Sequence, residues 1–424
     1  MRRILYLDGL RGWAALFVLF HHLLLTFAPD GKETALHASP VVAPLGFLTD
    51  GPLAVAVFFI LSGIVLTAAV TAAQEKGLQL SLPALLLKRW LRLGLPICAA
   101  GLLVLTLFVL NLDRSIAIGW ASESSFMREF FPPGYAPTPA LILREAFLSA
   151  FIGPTPPHDP VLWTIRIEFA GSILIFLLAL LIPAGRLRLF AATGAGIALA
   201  LLPPAWPETQ PLGWIGNYCA LFALGMVLHE LLRLDAARAG KPGGWRDPSG
   251  LTLIIFGLCL YPLFGIRIYD LASTPPVIGG QPILGGSQLR AALVVTGVLL
   301  SPTLQQILAN PVSAFLGRIS FGLYLLHAPL IWSAGGLSYF ALSPTTGHLS
   351  AALLASMLVL ILALGLSALF ESLIERPSIR ISGRLVSWIA ALPRRLRIGR
   401  GHGVSGNLEL APVAARRQAR HAFE

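Results

Sequence analysis

The chain has 424 residues, of which 56% are hydrophobic and only 12% are charged. Soluble domains carry about 25% charged residues, so this composition excludes an ordinary soluble enzyme and indicates an integral membrane protein. The net charge of +11 does not indicate nucleic-acid binding, because the cations lie between and after hydrophobic runs, as in loops that face anionic lipid. Three cysteines without paired spacing (Cys98, Cys219 and Cys259) favour neither disulfides nor a metal site.

The first hydrophobic stretch contains four ionisable residues, with Asp8 and Arg11 at its start and His21 and His22 deeper inside. Such groups cost roughly 2.5–3.5 kcal/mol in the middle of a membrane helix, so they are candidates for function. Arg11 and His22 are 11 residues apart and share a helical face, whereas His21 points roughly 80–100° away from it. We interpret this face as part of an active site in the membrane. The charged residues are atypical of a signal peptide, so we expect a retained span.

Hydropathy predicts an all-α, polytopic membrane bundle of about ten transmembrane helices. Lysine and arginine concentrate in alternate connecting segments, which by the positive-inside rule predicts an even number of spans with both termini cytoplasmic. The predicted spans are residues 10–28, 52–73, 93–111, 161–183, 188–205, 212–232, 250–268, 286–304, 315–336 and 349–374.

Two segments outside these spans differ from simple loops. Residues 112–160 form a proline-rich external loop, in which Ala140–Phe151 fits a short amphipathic helix lying on the membrane. Residues 378–424 form a basic cytoplasmic tail that we expect to be partly disordered. The chain therefore divides into a transmembrane domain, residues 1–377, and this tail.

Lys88, Arg89 and Arg92 stand at the predicted cytoplasmic mouth of the third span. The two arginines are three residues apart and share a helical face, where their guanidinium groups could bind phosphate oxygens. Ordinary membrane topology explains such cations equally well, so both interpretations stay open.

The fourth span opens with Trp163 and then places Thr164 and Glu168 on one face, with Arg166 on another. An acid inside a membrane span is a functional candidate, although an Arg–Glu contact between helices would serve structure alone.

The ninth span carries Ser320, Tyr324 and His327 at a spacing that brings them to one face. A buried histidine is as often a packing group as a site residue. After the tenth span, Glu375 precedes Arg376 and Pro377, and proline is expected to end the helix.

The ordered set of these motifs resembles the membrane acyltransferase-3 family, whose bacterial members O-acylate cell-envelope sugars. The resemblance extends from residue 7 to residue 377. Thr164 and Arg166 stand where many members have serine and an apolar residue, and no periplasmic hydrolase-like domain follows the last span, which leaves the acceptor more open than the donor. The matching residues are Asp8, Gly9, Arg11 and His22; Ser62 and Gly63; Arg89 and Arg92; Trp163, Thr164 and Glu168; Ser320, Tyr324 and His327; and Glu375, Arg376 and Pro377.

The resemblance implies transfer of an acyl group, with acetyl-CoA as the expected cytoplasmic donor, to a hydroxyl of a surface or exported glycan or glycolipid. The expected cellular location is the bacterial inner membrane, and no permanently bound cofactor is implied. His22 would act as general base or be transiently acylated. Arg11 would guide the thioester, and Asp8 would orient Arg11. Glu168 would bind the acceptor or transfer protons from the external side. Arg89, Arg92 and Lys88 would bind the donor phosphates, and the further candidates are Ser62, Trp163, Tyr324, His327 and Glu375.

A polytopic transporter or flippase for a lipid-linked sugar is the competing interpretation, because buried charges along an axis suit that class too. Against it, the ionisable groups concentrate in the first, third and fourth spans without an apparent repeat.

Overall fold

The computed structural model describes residues 4–27, 43–132, 134–153, 156, 159–201, 215–237, 244–263, 277–278, 281–282 and 286–398. The tail from residue 399 onward, which the sequence predicts to be partly disordered, lies outside the described residues.

The fold is a bundle of α-helices. A 3₁₀ helix (Ala43–Thr49) precedes α2, another (Pro160–Leu162) precedes α8, and Val277–Ile278 pairs antiparallel with Gln281–Pro282, with Val277 opposite Pro282. The helices are α1 (Leu5–Phe27), α2 (Gly51–Glu75), α3 (Leu82–Val109), α4 (Ser115–Ala121), α5 (Ser125–Arg128), α6 (Pro139–Arg144), α7 (Ala150–Ile152), α8 (Trp163–Leu181), α9 (Arg186–Leu201), α10 (Ile215–Ala236), α11 (Arg246–Leu263), α12 (Gly286–Leu300), α13 (Pro302–Leu308), α14 (Pro311–Leu330), α15 (Gly336–Thr346), α16 (His348–Phe370) and α17 (Arg376–Ile398).

The prediction of a polytopic helical bundle is confirmed, and each of the ten predicted spans coincides with a helix. Among the described residues, six helical stretches are long and apolar enough to cross a membrane, or seven if the bent pair α12 and α13 is one span. That number is smaller than the ten that hydropathy predicts. The sequence places the further spans at α9, α10 and α11, which do not meet the same criteria of length and apolarity.

Helix α2 is the centre of the bundle and contacts α1, α8, α10 and α12. Asp50 caps its N-terminus by accepting a hydrogen bond from the Leu53 amide at 2.8 Å, which satisfies one of the free donors of the first turn. The opposite side of α1 packs along α14, and α14 packs on α16. Helices α1, α2, α3, α8 and α14 therefore surround a common interior.

Arg188 of α9 is buried against α2 and α10, although the sequence suggests a cation of a cytoplasmic loop. It is fully buried and forms an ion pair with Glu230 of α10 at 3.3 Å. It also donates hydrogen bonds to Thr71 at 2.8 Å and Gln74 at 3.1 Å, both on α2. A buried arginine is stable only when its donors are paired, so Arg188 serves to join α2, α9 and α10.

The segment Ala140–Phe151 is helical, as the sequence predicts, and one of its faces packs on protein. It contains a π-helical turn at Glu145–Ser149, and Ile142, Ala146 and Ala150 are buried. These residues recur every four positions and form one face, which packs along α3. The indole of Trp90 on α3 donates a hydrogen bond to the Phe147 carbonyl at 2.9 Å. Part of the apolar surface of this segment therefore meets protein, while Leu143 and Leu148 stay exposed.

Pro377 does not end the helix that precedes it, contrary to the prediction from the sequence. A π-helical turn (Glu371–Glu375) leads directly into α17, and the predicted domain boundary at residue 377 falls within this helical stretch. Proline lacks an amide donor and clashes with the carbonyl four residues back in a regular helix. The wider turn immediately before Pro377 changes that register, as π-helical turns do.

Candidate active site

A cavity of about 240 Å³ lies between α1, α2, α3, α8 and α14, and Ile379 near the start of α17 also lines it. One wall is apolar and comes mainly from α2, including Phe58, Phe59 and Leu66. Polar side chains from all five helices and from the π-helical turn Glu371–Glu375 also line the cavity. The polar lining residues are Asp8, Arg11, Ser62, Arg89, Arg92, Thr164, Glu168, Ser320, Tyr324 and Glu375.

Glycines bring α1 and α14 into direct backbone contact beside this cavity. A Cβ atom at Gly12 would lie 2.4 Å from the Gly317 amide nitrogen, and one at Gly317 would lie 2.3 Å from the Asp8 carbonyl oxygen. Neither position can carry a side chain without moving a helix, because both obstructing atoms belong to the backbone. The close approach is what allows α1 and α14 to share their polar residues.

Arg11 is held by α14 at the start of the shared surface. Its Nε donates to the Ser320 hydroxyl at 3.0 Å, and its Nη2 donates to the Gly317 carbonyl at 2.9 Å. Asp8, one turn earlier, lies 3.4 Å from the guanidinium. The predicted pairing of Asp8 with Arg11 is therefore present, and Ser320 completes the clamp.

Glu168 projects into the same cavity and joins three helices. Its Oε1 atom accepts a hydrogen bond from Ser62 on α2 at 2.7 Å and forms an ion pair with Arg89 on α3. Arg89 also donates to Ser172 at 3.1 Å. The sequence places Glu168 toward the external side, whereas its contacts place it among the arginines.

Arg92 differs from Arg89. Its side chain is exposed, lines the cavity, and makes no hydrogen bond or ion pair within the part of the chain that the structure describes. Glu375 lines the same end, and its Oε1 atom is buried without a hydrogen-bond partner among the described residues. This end of the cavity therefore presents the Arg92 guanidinium to a ligand, while the Glu375 Oε1 atom is buried beside it.

Tyr324 closes the other end of the cavity. Its hydroxyl is 2.7 Å from the Thr164 hydroxyl and donates to the Val161 carbonyl, so it joins α14 to the start of α8. Its ring also packs edge-on against Phe58, with 6.3 Å between ring centroids. A ligand in the cavity meets this contact before it can go deeper.

His22 and His327 form a pair just beyond Tyr324. His327 Nε2 lies 3.2 Å from His22 Nδ1, and the rings of Tyr324 and His327 are 6.0 Å apart. His327 is buried, with 1% of its surface exposed. On the side away from the cavity, the ring of Phe126 from α5 packs on His22 at 5.3 Å. The pair thus lies between the cavity and the segment predicted to be external.

That segment is attached to the end of α1 by two serines. Ser122 donates to the Thr26 carbonyl at 2.5 Å, and Ser124 donates to the Leu25 carbonyl at 2.6 Å. These bonds hold Phe126 over His22. No pattern in the sequence indicates this role of Phe126, because only the tertiary structure brings residues 22 and 126 together.

The ring of His21 meets the His22 ring edge-on, with 5.2 Å between ring centroids, but its polar contact is with another element. Its Nδ1 atom lies 2.8 Å from the Thr49 carbonyl, and its ring fills the space beside Gly51. Lys88 and Trp163 are also absent from the residues that line the cavity. Trp163 instead packs on Tyr218, with 5.4 Å between ring centroids.

Asp159 begins the turn that positions α8. It is buried, with 2% of its surface exposed, and its Oδ1 atom accepts a hydrogen bond from the Val161 amide at 3.2 Å. Burial raises the pKa of this carboxyl well above its usual range, since a low-dielectric environment disfavours the charged form. The hydrogen bond fixes the backbone just before Thr164 and Glu168.

The fold and this site define a polytopic membrane protein whose helical bundle contains a cavity lined by ionisable side chains. The sequence model of the family described as "Acyltransferase domain", the acyltransferase-3 family, matches residues 4–371. The chain belongs to this family, and it is an integral, multi-pass membrane acyltransferase.

Two curated proteins are similar to the chain along most of its length. The O-acetyltransferase PaAT-1 of Phomopsis amygdali is 26% identical over 387 residues, which cover 78% of this chain and 72% of that protein. The acyltransferase MdmB of Streptomyces mycarofaciens is 27% identical over 410 residues, which cover 90% of this chain and 93% of that protein. No solved structure matches the chain.

Proposed function

We propose that this acyltransferase takes an acetyl group from cytoplasmic acetyl-CoA and transfers it to a hydroxyl of an exported or cell-surface glycan or glycolipid. The proposed location is the bacterial inner membrane, with both termini in the cytoplasm. The observation that carries the proposal is the order of the groups: an arginine-lined cavity ends at Tyr324, one helical turn from the His22–His327 pair. Membership of an acyltransferase family favours this function over the transporter alternative.

The cations of the cavity support a phosphate-bearing donor. Arg92 has an unpaired guanidinium, and Arg89 and Arg11 line the same space. Guanidinium groups bind phosphate oxygens through charge-assisted hydrogen bonds. In the proposed complex the nucleotide part of acetyl-CoA binds at this end, and the pantetheine arm extends along the apolar wall of α2 toward Tyr324.

The chemistry is assigned to His22. In the described part of the chain the hydrogen bonds of its ring involve Nδ1 only, with Val18 and His327, which leaves Nε2 for a substrate proton. The acceptor hydroxyl gives its proton to Nε2 as its oxygen attacks the thioester carbonyl. The carbon–sulfur bond then breaks, and the proton passes from Nε2 to the departing sulfur. The acyl group ends on the acceptor oxygen and the proton on the sulfur of coenzyme A, and His22 returns to its initial state.

The acceptor is proposed to arrive from the side opposite the donor. His22 contacts Phe126 of α5, in the segment between the third and fourth predicted spans. A hydroxyl group approaching past this segment would meet His22 without entering the arginine cavity. The acceptor class rests on the family resemblance, and the O-acetyltransferase name of one relative supports a hydroxyl acceptor and an acetyl group.

Incorporation of label from [14C]acetyl-CoA tests this function. Membranes containing the protein are incubated with the labelled donor, and glycan and glycolipid fractions are separated and treated with mild alkali, which releases O-linked acetyl groups. We expect alkali-labile label with the wild-type protein and none with His22→Ala at equal protein level. Absence of acetyl-CoA binding to correctly folded, purified wild-type protein would contradict the proposed donor.

A further inference from the structure

We propose that His327 is a positioning residue that holds His22 in the tautomer with its proton on Nδ1 and its lone pair on Nε2. This inference rests on the proposed role of His22 as general base. It adds a specific task for a second histidine, which lies outside the residues lining the donor cavity.

Backbone carbonyls determine where the two rings carry their protons. His22 Nδ1 lies 2.9 Å from the Val18 carbonyl, and His327 Nδ1 lies 3.2 Å from the Leu323 carbonyl. In each case the carbonyl belongs to the residue one turn earlier on the same helix. A carbonyl oxygen can only accept a hydrogen bond, so each Nδ1 atom carries a proton.

The contact between the rings then has only one arrangement when both histidines are neutral. With its proton on Nδ1, His327 has a lone pair on Nε2, and this atom lies 3.2 Å from His22 Nδ1. His22 therefore donates through Nδ1 to both the Val18 carbonyl and His327 Nε2. Its own Nε2 atom must carry a lone pair, which is the state that a general base requires.

The same contact stabilises His22 after it accepts a proton. The positive charge of the imidazolium strengthens the hydrogen bond from Nδ1 to His327, because charge-assisted bonds are stronger than neutral ones. A nucleophile, a base and a third group that orients the base form a recurrent catalytic arrangement. Here the third group is a neutral imidazole, which suits a buried site because no isolated carboxylate has to be buried.

The helices make this geometry reproducible. His327 is 1% exposed on α14, and α14 is fixed to α1 through the glycine contact at Gly12 and Gly317. Tyr324, one turn earlier, is anchored by Thr164. The His327 ring thus has little freedom to turn, and the tautomer of His22 follows from packing.

Two substitutions separate positioning from packing. His327→Leu fills similar space but offers no acceptor, whereas His327→Gln offers an amide oxygen where Nε2 lies. We expect His327→Leu to lower the apparent kcat for [14C]acetyl transfer in membranes by about 10- to 100-fold, less than the ~10²–10⁴-fold that loss of a general base causes. The KM for acetyl-CoA and the melting temperature should stay near wild type, and His327→Gln should recover most of the activity.

His348 provides a matched control on the neighbouring helix. Both of its ring nitrogens are also hydrogen-bonded, to Tyr339 and Phe27, but it does not contact His22. His348→Leu should leave the kcat within about twofold of wild type. A comparable loss of kcat in His348→Leu would overturn the positioning role, because the effect would then be general to histidines whose ring nitrogens are hydrogen-bonded.

Nitrogen-15 NMR of histidine-labelled protein reads the tautomer directly, with the His22 signals assigned by their loss in His22→Ala. We expect a protonated Nδ1 and an unprotonated Nε2 in wild type and His327→Gln, and a mixture of tautomers in His327→Leu. Wild-type kcat and an unchanged tautomer in His327→Leu would overturn this inference alone. Full activity of His22→Ala would instead overturn the proposed function.

Discussion

Arg89 and Glu168 form an ion pair inside the cavity, so the two arginines that share a face of α3 are not equivalent. Arg89 is engaged by Glu168 and Ser172, whereas Arg92 has no such partner among the described residues. The sequence spacing suggests a clamp of two equal cations. The structure assigns Arg89 to holding α3 against α8, and leaves Arg92 as the guanidinium available to a donor.

Arg92→Ala should therefore weaken acetyl-CoA binding without destabilising the protein. A charge-assisted hydrogen bond contributes about 1.5–3 kcal/mol, which corresponds to a roughly 10- to 150-fold increase in Kd. The measurement is equilibrium binding of labelled acetyl-CoA to purified protein. Arg318→Ala is the control, because Arg318 is exposed on α14, packs over Phe315 and does not line the cavity. Equal affinities of wild type and Arg92→Ala would show that this arginine is only a topology determinant.

Arg89→Ala should act mainly on stability. The substitution leaves the Glu168 carboxylate, 15% exposed, without its ion-pair partner, and removing one member of a buried pair costs about 3–5 kcal/mol. The melting temperature of detergent-solubilised protein should fall clearly. The double variant Arg89→Ala with Glu168→Gln should recover part of the loss, since no unpaired charge remains. A single variant as stable as wild type would argue against this structural role.

His22→Ala should abolish acyl transfer, while His21→Ala should retain most of it. Loss of a general base costs about 10²–10⁴-fold in rate, and His22 alone contacts His327. His21 is directed to the Thr49 carbonyl and Gly51, so its loss affects packing at the end of α1. Both variants are assayed in membranes, with protein level measured by immunoblot. The reverse pattern, an inactive His21→Ala with an active His22→Ala, would disprove the proposed site.

Gly12→Ala should inactivate the enzyme through a change in helix packing. The new methyl group would lie 2.4 Å from the Gly317 amide nitrogen, so α1 must move away from α14, and overpacking of this kind costs about 1–3 kcal/mol. Arg11 would lose its contacts with Gly317 and Ser320, and His22 would move relative to His327. Melting temperature and transfer activity are compared with Gly365→Ala, where a Cβ meets no heavy atom within 4 Å among the described residues. Similar effects of the two substitutions would refute a specific role for this contact.

The helical pattern of single segments could be derived from the sequence because it depends on local chemistry. Long apolar runs require helices in a membrane, since every backbone polar group must be satisfied within the segment. Periodicity alone placed Arg11 and His22 on one face and turned His21 away from it. It also grouped Ser320, Tyr324 and His327, whose partners the structure identifies as Arg11, Thr164 and His22.

The functions of individual charges could not be derived in this way, because a charge has the same sequence signature whether or not it is paired. Arg188 reads as a loop cation, yet it is buried against Glu230. Glu230, an acid inside the sixth predicted span, was the only sign in the sequence that a buried ion pair exists. Its partner, Arg188, lies 42 residues earlier in the chain. Likewise, the sequence does not distinguish an amphipathic helix on lipid from one that packs along α3.

The sequence by itself determined a membrane-embedded helical protein with ionisable residues at fixed helical spacing, because hydrophobicity and the 3.6-residue period are local properties. Only the tertiary structure decided which of those residues meet. Close backbone contact at Gly12 and Gly317 brings α1 against α14, and this contact places His22 beside His327. The pairing depends on how two helices separated by nearly 300 residues pack, and a local sequence pattern carries no information about such a distant contact.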